Sequence, residues 1–148
     1  MKKILVGLDG SPRQRGVLAA AVELARRTGS KLILFRAVSV PTELPPEAYL
    51  MAPDEVTKIL ERRAATALGE AAAGVPAEVI ERLQVAIGAP WQAICGAAME
   101  DDVDLVIIGS HGYDTLDRIL GTTAGKVVNH ADRAVLVVRA PERLAPSE

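Results

Sequence analysis

Short runs of β-branched and aliphatic residues alternate along the chain with segments that carry apolar residues at helical spacing. Two runs, Leu105-Val106-Ile107-Ile108 and Val135-Leu136-Val137-Val138, are apolar at every position. A continuous apolar run is typical of a strand that is covered on both faces, as in a parallel sheet. We predict five strands, at residues 4–8, 32–40, 79–87, 103–108 and 134–138.

Four helices are predicted between these strands, with apolar stripes that start at Val17, Val56, Trp91 and Ala124. We expect the first helix to begin at Ser11-Pro12, because serine caps helices and proline suits their first turn. The order βαβαβαβαβ predicts an α/β fold with an open five-stranded parallel sheet and helices on both faces.

Length and charge limit the classes of protein that this chain can belong to. Its 148 residues suit a single domain over residues 1–148, with a polar tail at residues 141–148. Aromatic residues make up only 3%, which argues against a stacking platform for nucleic-acid bases. The net charge is −2, with both signs mixed along the chain, so we expect no nucleic-acid partner.

The single Cys95 excludes an intramolecular disulfide and favours a reducing compartment. The first acidic residue, Asp9, comes too early for a secretory signal peptide. No stretch approaches the roughly 20 apolar residues of a membrane span. We therefore predict a cytoplasmic protein without a membrane association.

Glycines and hydroxyl residues cluster after the fourth predicted strand. Gly109-Ser110-His111-Gly112 follows the strand directly, and Gly121-Thr122-Thr123 opens the last predicted helix. In open α/β sheets, ligands bind beyond the carboxyl ends of the strands. Glycines let backbone N–H groups approach a phosphate, and a helix N-terminus favours its negative charge. The alternative is purely structural, with the glycines in tight turns and Thr122 as a helix cap.

The sequence resembles the universal stress proteins in three places. They are the glycine segment, the start Lys3-Ile4-Leu5-Val6-Gly7-Leu8-Asp9-Gly10-Ser11 and the turn Gly88-Ala89-Pro90. The similarity covers residues 2–140. It implies strand order 3-2-1-4-5, an adenine-nucleotide-binding Rossmann-like fold, and ATP as the ligand, with Mg²⁺ as a possible companion. The implied function is reversible ATP binding by a small stress-response or regulatory protein, with at most slow ATP hydrolysis and no dedicated catalysis.

The resemblance also implies a role for individual residues. Asp9 would face the ribose, and Ala37 would present its backbone to the adenine edge. Ser110 adds a hydroxyl donor to the phosphate-binding loop. Gly7 and Leu8 would contact the nucleotide, and the remaining residues would surround the ribose and phosphates: Gly109, His111, Gly112, Gly121, Thr122 and Thr123.

One departure from the family pattern leaves a second function open. The ATP-binding pattern has nine residues between its second and third glycines, whereas eight residues, Tyr113 to Leu120, separate Gly112 from Gly121. The alternative is therefore a protein–protein interaction module that has lost nucleotide binding and uses this segment for recognition. A third possibility, a nucleotide hydrolase, has only Asp9, Asp114 and Asp117 as candidate carboxylates.

Other patterns carry less information. Gly121-Thr122-Thr123-Ala124-Gly125-Lys126 has three residues between its glycines where a P-loop has four. His111 and His130 are too isolated for a metal site, and Cys95 lies on an apolar helical stripe. The last strand, from Ala134 to Arg139, would form an edge of the sheet, and its run from Val135 to Val138 carries no charge. We therefore expect a homodimer through this strand, and the resemblance implies the same dimer edge.

Overall fold

The computed structural model describes residues 1–110 and 120–139. They contain a five-stranded parallel sheet in the order β3-β2-β1-β4-β5, which confirms the predicted topology. The strands are β1 (Lys3–Gly7), β2 (Lys31–Val38), β3 (Ile80–Ile87), β4 (Leu105–Gly109) and β5 (Ala134–Val138).

Helices cover both faces of the sheet and divide the core into two layers. One layer lies under α1 (Gln14–Thr28) and α2 (Pro53–Ala72), and the other under α3 (Pro90–Glu100) and α4 (Thr122–His130). Ile4 and Val6 of β1 point into the first layer, and Leu5 between them points into the second. This two-sided burial explains why the buried stretches of the central strands, residues 4–6, 32–35 and 105–108, are apolar at every position.

The start of α1 differs from the prediction. The helix begins at Gln14 rather than at Ser11-Pro12, and no side chain caps it. The backbone N–H of Gln14 donates to the carbonyl of Ser11 at 3.1 Å, which closes a separate turn before the helix. Ser11 is therefore part of the turn that leads from β1 into α1.

Seven strand ends also differ from the prediction by one or two residues. β1 is Lys3–Gly7 rather than residues 4–8, β2 starts at Lys31 rather than at residue 32, and β4 ends at Gly109 rather than at residue 108. β2 ends at Val38 rather than at residue 40, and β3 starts at Ile80 because a short 3₁₀ helix, Ala77–Val79, precedes it. β4 starts at Leu105 rather than at residue 103, since the N–H of Val103 donates to Ala98 and still belongs to the end of α3. The loop between β2 and α2 contains another short 3₁₀ helix, Pro46–Leu50.

The acidic residues after α3 form ion pairs and hydrogen bonds at the amino-terminal edge of the sheet. Asp101 lies 2.6 Å from a guanidinium nitrogen of Arg82, and Asp102 lies 3.4 Å from one of Arg133. Asp104 accepts the backbone N–H groups of Lys2 and Lys3 at 2.6 and 3.0 Å. These contacts fasten the start of β1 to the segment that leads into β4.

Asp104 gives the fold a testable dependence on pH. The two backbone N–H groups of Lys3 and Lys2 lower the pKa of its carboxyl below the ordinary value of 3.8. A lowered pKa in the folded state stabilises the fold above the unfolded pKa, and this contribution disappears as the pH falls through the folded pKa. We expect Asp104→Asn to lower the melting temperature at neutral pH, with a difference that disappears in acid.

Thermal unfolding of the parent and the Asp104→Asn variant, measured from neutral pH down to acid pH, checks the prediction. Glu43→Gln, which removes an exposed carboxyl in the loop after β2, is the control. A difference between Asp104→Asn and the parent that stays constant with pH would contradict the role of the charge.

Across the described ranges, the helices fall short of the length and apolar character that a membrane span requires.

Candidate functional site

A cavity of about 420 Å³ opens at the carboxyl ends of the central strands. This volume lies within the usual range of small-molecule sites. The cavity adjoins the gap between β1 and β4, which is the point where the strand order reverses. Nine of the predicted site residues line it: Gly7, Leu8, Asp9, Ala37, Gly109, Ser110, Gly121, Thr122 and Thr123. The other two, His111 and Gly112, lie outside the described residues.

The N-terminus of α4 forms one wall of the cavity. Gly121 occupies the cap position, no side chain caps the helix, and the first helical hydrogen bond runs from Gly125 N–H to the Gly121 carbonyl. The N–H groups of Thr122, Thr123 and Ala124 therefore have no acceptor within the helix. Together with the positive end of the helix dipole, these donors form a site for an anionic group.

Gly121 also has a structural role. Its N–H donates to the Ser110 carbonyl at 2.7 Å, and the Ser110 N–H donates to the Val138 carbonyl at 2.9 Å. The Gly121 N–H is therefore already hydrogen-bonded within the protein. Because Gly121 has no side chain, it leaves space in the cavity wall beside the N-terminus of α4. Ser110 is buried and connects the ends of β4, α4 and β5.

Asp9 lies at the end of β1. One oxygen of its carboxylate has a structural role, and the other remains available to a ligand. Its Oδ1 accepts the backbone N–H of Ser11 at 2.9 Å, which fixes the turn into α1. Its side chain is exposed in the cavity wall. A carboxylate held in this way has an acceptor oxygen, Oδ2, left for hydroxyl groups of a ligand.

The hydroxyl of Ser11 is an unsatisfied polar group in the same wall. Ser11 is 2% exposed, and its Oγ has no hydrogen-bond partner among the described residues. Buried polar groups of proteins are nearly always hydrogen-bonded. The hydroxyl of Ser11 is therefore a buried polar group that the described contacts leave unpaired next to the cavity.

Ala37 presents its backbone towards the cavity because β2 extends beyond β1. The ladder between these strands ends where Leu8 N–H donates to the Phe35 carbonyl at 2.9 Å. In a strand, the backbone groups of every second residue point to the same side. The N–H and C=O of Ala37 therefore point, like those of Phe35, to the β1 side, past the end of the ladder.

Aliphatic side chains form the remainder of the wall. Gly7 allows them to approach, since a Cβ at this position would lie 3.0 Å from Ile108 Cγ2 and 3.2 Å from Ile94 Cδ1. Gly7 thus has a packing role beside its place in the wall. Val17, Ile94 and Ile108 all line the cavity and give it an apolar surface suited to a planar ring.

Two arginines of the wall, Arg13 and Arg36, were not among the predicted site residues. Arg36 was treated only as the neighbour of Ala37, and Arg13 lies at the start of α1. With Asp9, they give the described lining a net positive charge in a chain whose formal charge is −2. The position of Arg36 near the carboxyl end of β2 could have identified it as a site residue from the sequence.

The candidate segment of the alternative interaction module, Tyr113 to Leu120, lies outside the described residues except for Leu120. The same holds for Asp114 and Asp117, two of the three carboxylates considered for hydrolysis. Cys95, in contrast, packs against the core layer under α3 and α4. Burial and the nearby Asp132 raise the pKa of its thiol, as expected of an unreactive core cysteine.

These features define a doubly wound α/β protein with a candidate ligand site, a cavity at the switch point of its sheet. Comparison with known families matches residues 1–139 to the universal stress protein family. The chain belongs to this family, as the sequence resemblance had indicated.

Individual relatives agree with this assignment. A universal stress protein of Thermus aquaticus is 34% identical over 143 residues, with 93% of this chain and 98% of the relative covered. The structure of UspA from Lactobacillus plantarum superposes with a TM-score of 0.73 at 25% identity, over 93% of this chain and 97% of that one. A universal stress protein solved in complex with cAMP has a TM-score of 0.57 at 28% identity, over 93% and 96%.

Proposed function

We propose that this universal stress protein binds ATP reversibly in the cavity at the ends of β1, β2 and β4, as a regulatory protein of the stress response. The observation that carries the proposal is the uncapped N-terminus of α4, whose N–H groups at Thr122, Thr123 and Ala124 line this cavity. Backbone donors at a helix N-terminus are a recurrent binding site for phosphate oxygens. The single thiol, Cys95, suits the reducing cytoplasm.

Three parts of the nucleotide correspond to three parts of the wall. The adenine ring suits the aliphatic surface, with its edge at the backbone N–H and C=O of Ala37. The ribose hydroxyls suit the carboxylate of Asp9, and the phosphates suit the N-terminus of α4. The relative solved with cAMP supports an adenine nucleotide as the class of ligand.

Binding rather than catalysis is the proposed activity. Asp9 is the one carboxylate among the described lining residues, and its place beside the ribose would separate it from the terminal phosphate. Mg²⁺ would then be held chiefly by the phosphates of the nucleotide and by water, as is common for this ion.

Thermal unfolding with and without nucleotide tests the proposal. ATP at 100 times its dissociation constant stabilises a protein by roughly 2.7 kcal/mol, which in a chain of this length raises the melting temperature by about 5–10 °C. The protein is first unfolded, stripped of any bound nucleotide and refolded. An unchanged melting temperature with millimolar ATP and Mg²⁺ would contradict the proposal.

The two edges of the sheet support a second proposal, a homodimer through β5. At one edge, β3 carries the charged Glu81 and Arg82, which discourage pairing with another strand. At the other edge, β5 is uncharged from Ala134 to Val138, and Leu136 is 40% exposed. Pairing of two β5 strands across a twofold axis would cover this edge in both copies.

A further inference from the structure

The side chain of Arg36 packs against the turn that follows β1. The guanidinium lies against Gly10, where a Cβ would come within 2.9 Å of Arg36 Cζ. Gly10 also has a φ of +79°, a conformation that suits glycine and few other residues. The guanidinium therefore lies against the turn that leads from β1 into α1.

The charge of Arg36 is not neutralised by the described part of the protein. Its guanidinium has no hydrogen-bond or ion-pair partner there, whereas Arg26 and Arg27 of α1 pair with Glu78 and Glu23. Arg36 is nevertheless half-buried, and it lines both the nucleotide cavity and a neighbouring groove between α1 and α2. An unpaired, partly desolvated guanidinium is well suited to bind an anionic oxygen.

Charge alternates along the carboxyl edge of the sheet. Arg36 stands on β2, Asp9 follows β1, and the positive N-terminus of α4 follows β4. Neighbouring strands are about 4.8 Å apart, so the ends of β2 and β4 are about 10 Å apart within the sheet, with the end of β1 between them. A ligand that matches this order has an anionic group at each end and hydroxyl groups in the middle.

We propose that Arg36 selects nucleotides that carry a second phosphate on the ribose, in addition to the phosphates on the 5′ position. The proposal rests on the proposed function, which assigns the ribose to Asp9 and the 5′ phosphates to α4. A ribose offers two hydroxyls on the same side of its ring. One of them remains for the carboxylate of Asp9, and the other carries its phosphate towards Arg36, at the mouth between the cavity and the groove.

Titration calorimetry with three adenosine nucleotides tests this selectivity. AMP has the 5′ phosphate alone, and adenosine 2′,5′-bisphosphate and adenosine 3′,5′-bisphosphate add a phosphate at either ribose position. We expect at least one bisphosphate to bind the parent protein about tenfold more tightly than AMP, because a guanidinium–phosphate pair contributes charge-assisted hydrogen bonds. The better bisphosphate identifies the hydroxyl that faces Arg36.

Two variants locate the effect. Arg36→Gln keeps a side chain of similar shape without the charge, and we expect the affinity ratio of the bisphosphate to AMP to fall to about 1. Arg62→Gln removes an exposed arginine of α2 outside the cavity and should retain the ratio of the parent. Melting temperatures of both ligand-free variants check that the fold is intact.

The outcomes separate this inference from the proposed function. If ATP binds but neither bisphosphate exceeds AMP, or if Arg36→Gln keeps the preference, the role of Arg36 is wrong and the ATP site stands. If no adenine nucleotide binds the parent, the proposed function fails and the inference fails with it.

Discussion

A Gly121→Val variant will lose the rise in melting temperature that ATP gives to the parent protein, while its ligand-free form stays folded. Gly121 lies at the cap of α4 in the cavity wall, with φ −62° and ψ 167°. Any residue adopts this extended backbone without strain, so we expect the backbone to accept valine. Its branched side chain would nevertheless stand beside the N–H donors of Thr122 and Thr123 and keep phosphate oxygens away.

Gly125→Val is the matched control, because it makes the same change four residues later in the same helix. A Cβ at Gly125 has no atom within 4 Å, so this variant should fold and keep the full response to ATP. The expected difference between the two variants is the whole ligand-induced shift, about 5–10 °C at saturation. An undiminished shift in Gly121→Val would show that the phosphates do not bind at α4.

A Val137→Pro variant will be a monomer under conditions where the parent chain forms a dimer of about twice 15.6 kDa. The backbone N–H and C=O groups of Val137 point away from β4, so this substitution affects pairing with a second chain and not pairing with β4. The carbonyl of Val138 accepts Ser110 N–H, so Val138 faces β4. Val137 then points its N–H and C=O to the open side of the strand. Proline removes that outward donor and leaves the hydrogen bonds between β4 and β5 in place.

Light scattering at micromolar concentrations measures the masses of both proteins. Val137→Thr is the control, since threonine retains the outward N–H and is favourable in strands. We expect the threonine variant to remain a dimer. A parent chain with the mass of a monomer across this concentration range would contradict the proposed interface, and so would a dimeric Val137→Pro variant.

The strand order and the two-sided core could be predicted because they depend on patterns that are local in sequence. The run from Leu105 to Ile108 has an apolar residue for each face, as expected of a covered strand. The same expectation was wrong for the equally apolar run from Val135 to Val138, because β5 is an edge strand with Leu136 40% exposed. Element ends were less predictable, because hydrogen bonds decide them. Ser11 and Pro12 resemble a helix start, yet the turn between Ser11 and Gln14 delays the helix by two residues.

The candidate site shows the same division. Asp9, Ala37 and Gly109 could be proposed because the carboxyl ends of parallel strands meet at one edge of the sheet. The path of the turn after β1 determines two further features of the site. They are the unpaired hydroxyl of Ser11 and the contact between Arg36 and Gly10. Residues 10 and 36 are far apart in sequence, so no local pattern indicates that they touch.

The hydrogen bond from Gly121 to Ser110 determines how the site tolerates a change in loop length. It joins the two ends of the intervening segment, so this link between β4 and α4 does not depend on how many residues lie between them. A change in length also alters the entropy of closing the segment, which grows with the logarithm of its length. Removing one residue from about eleven changes this free energy by about 0.1 kcal/mol, far less than the contribution of a single hydrogen bond to a phosphate.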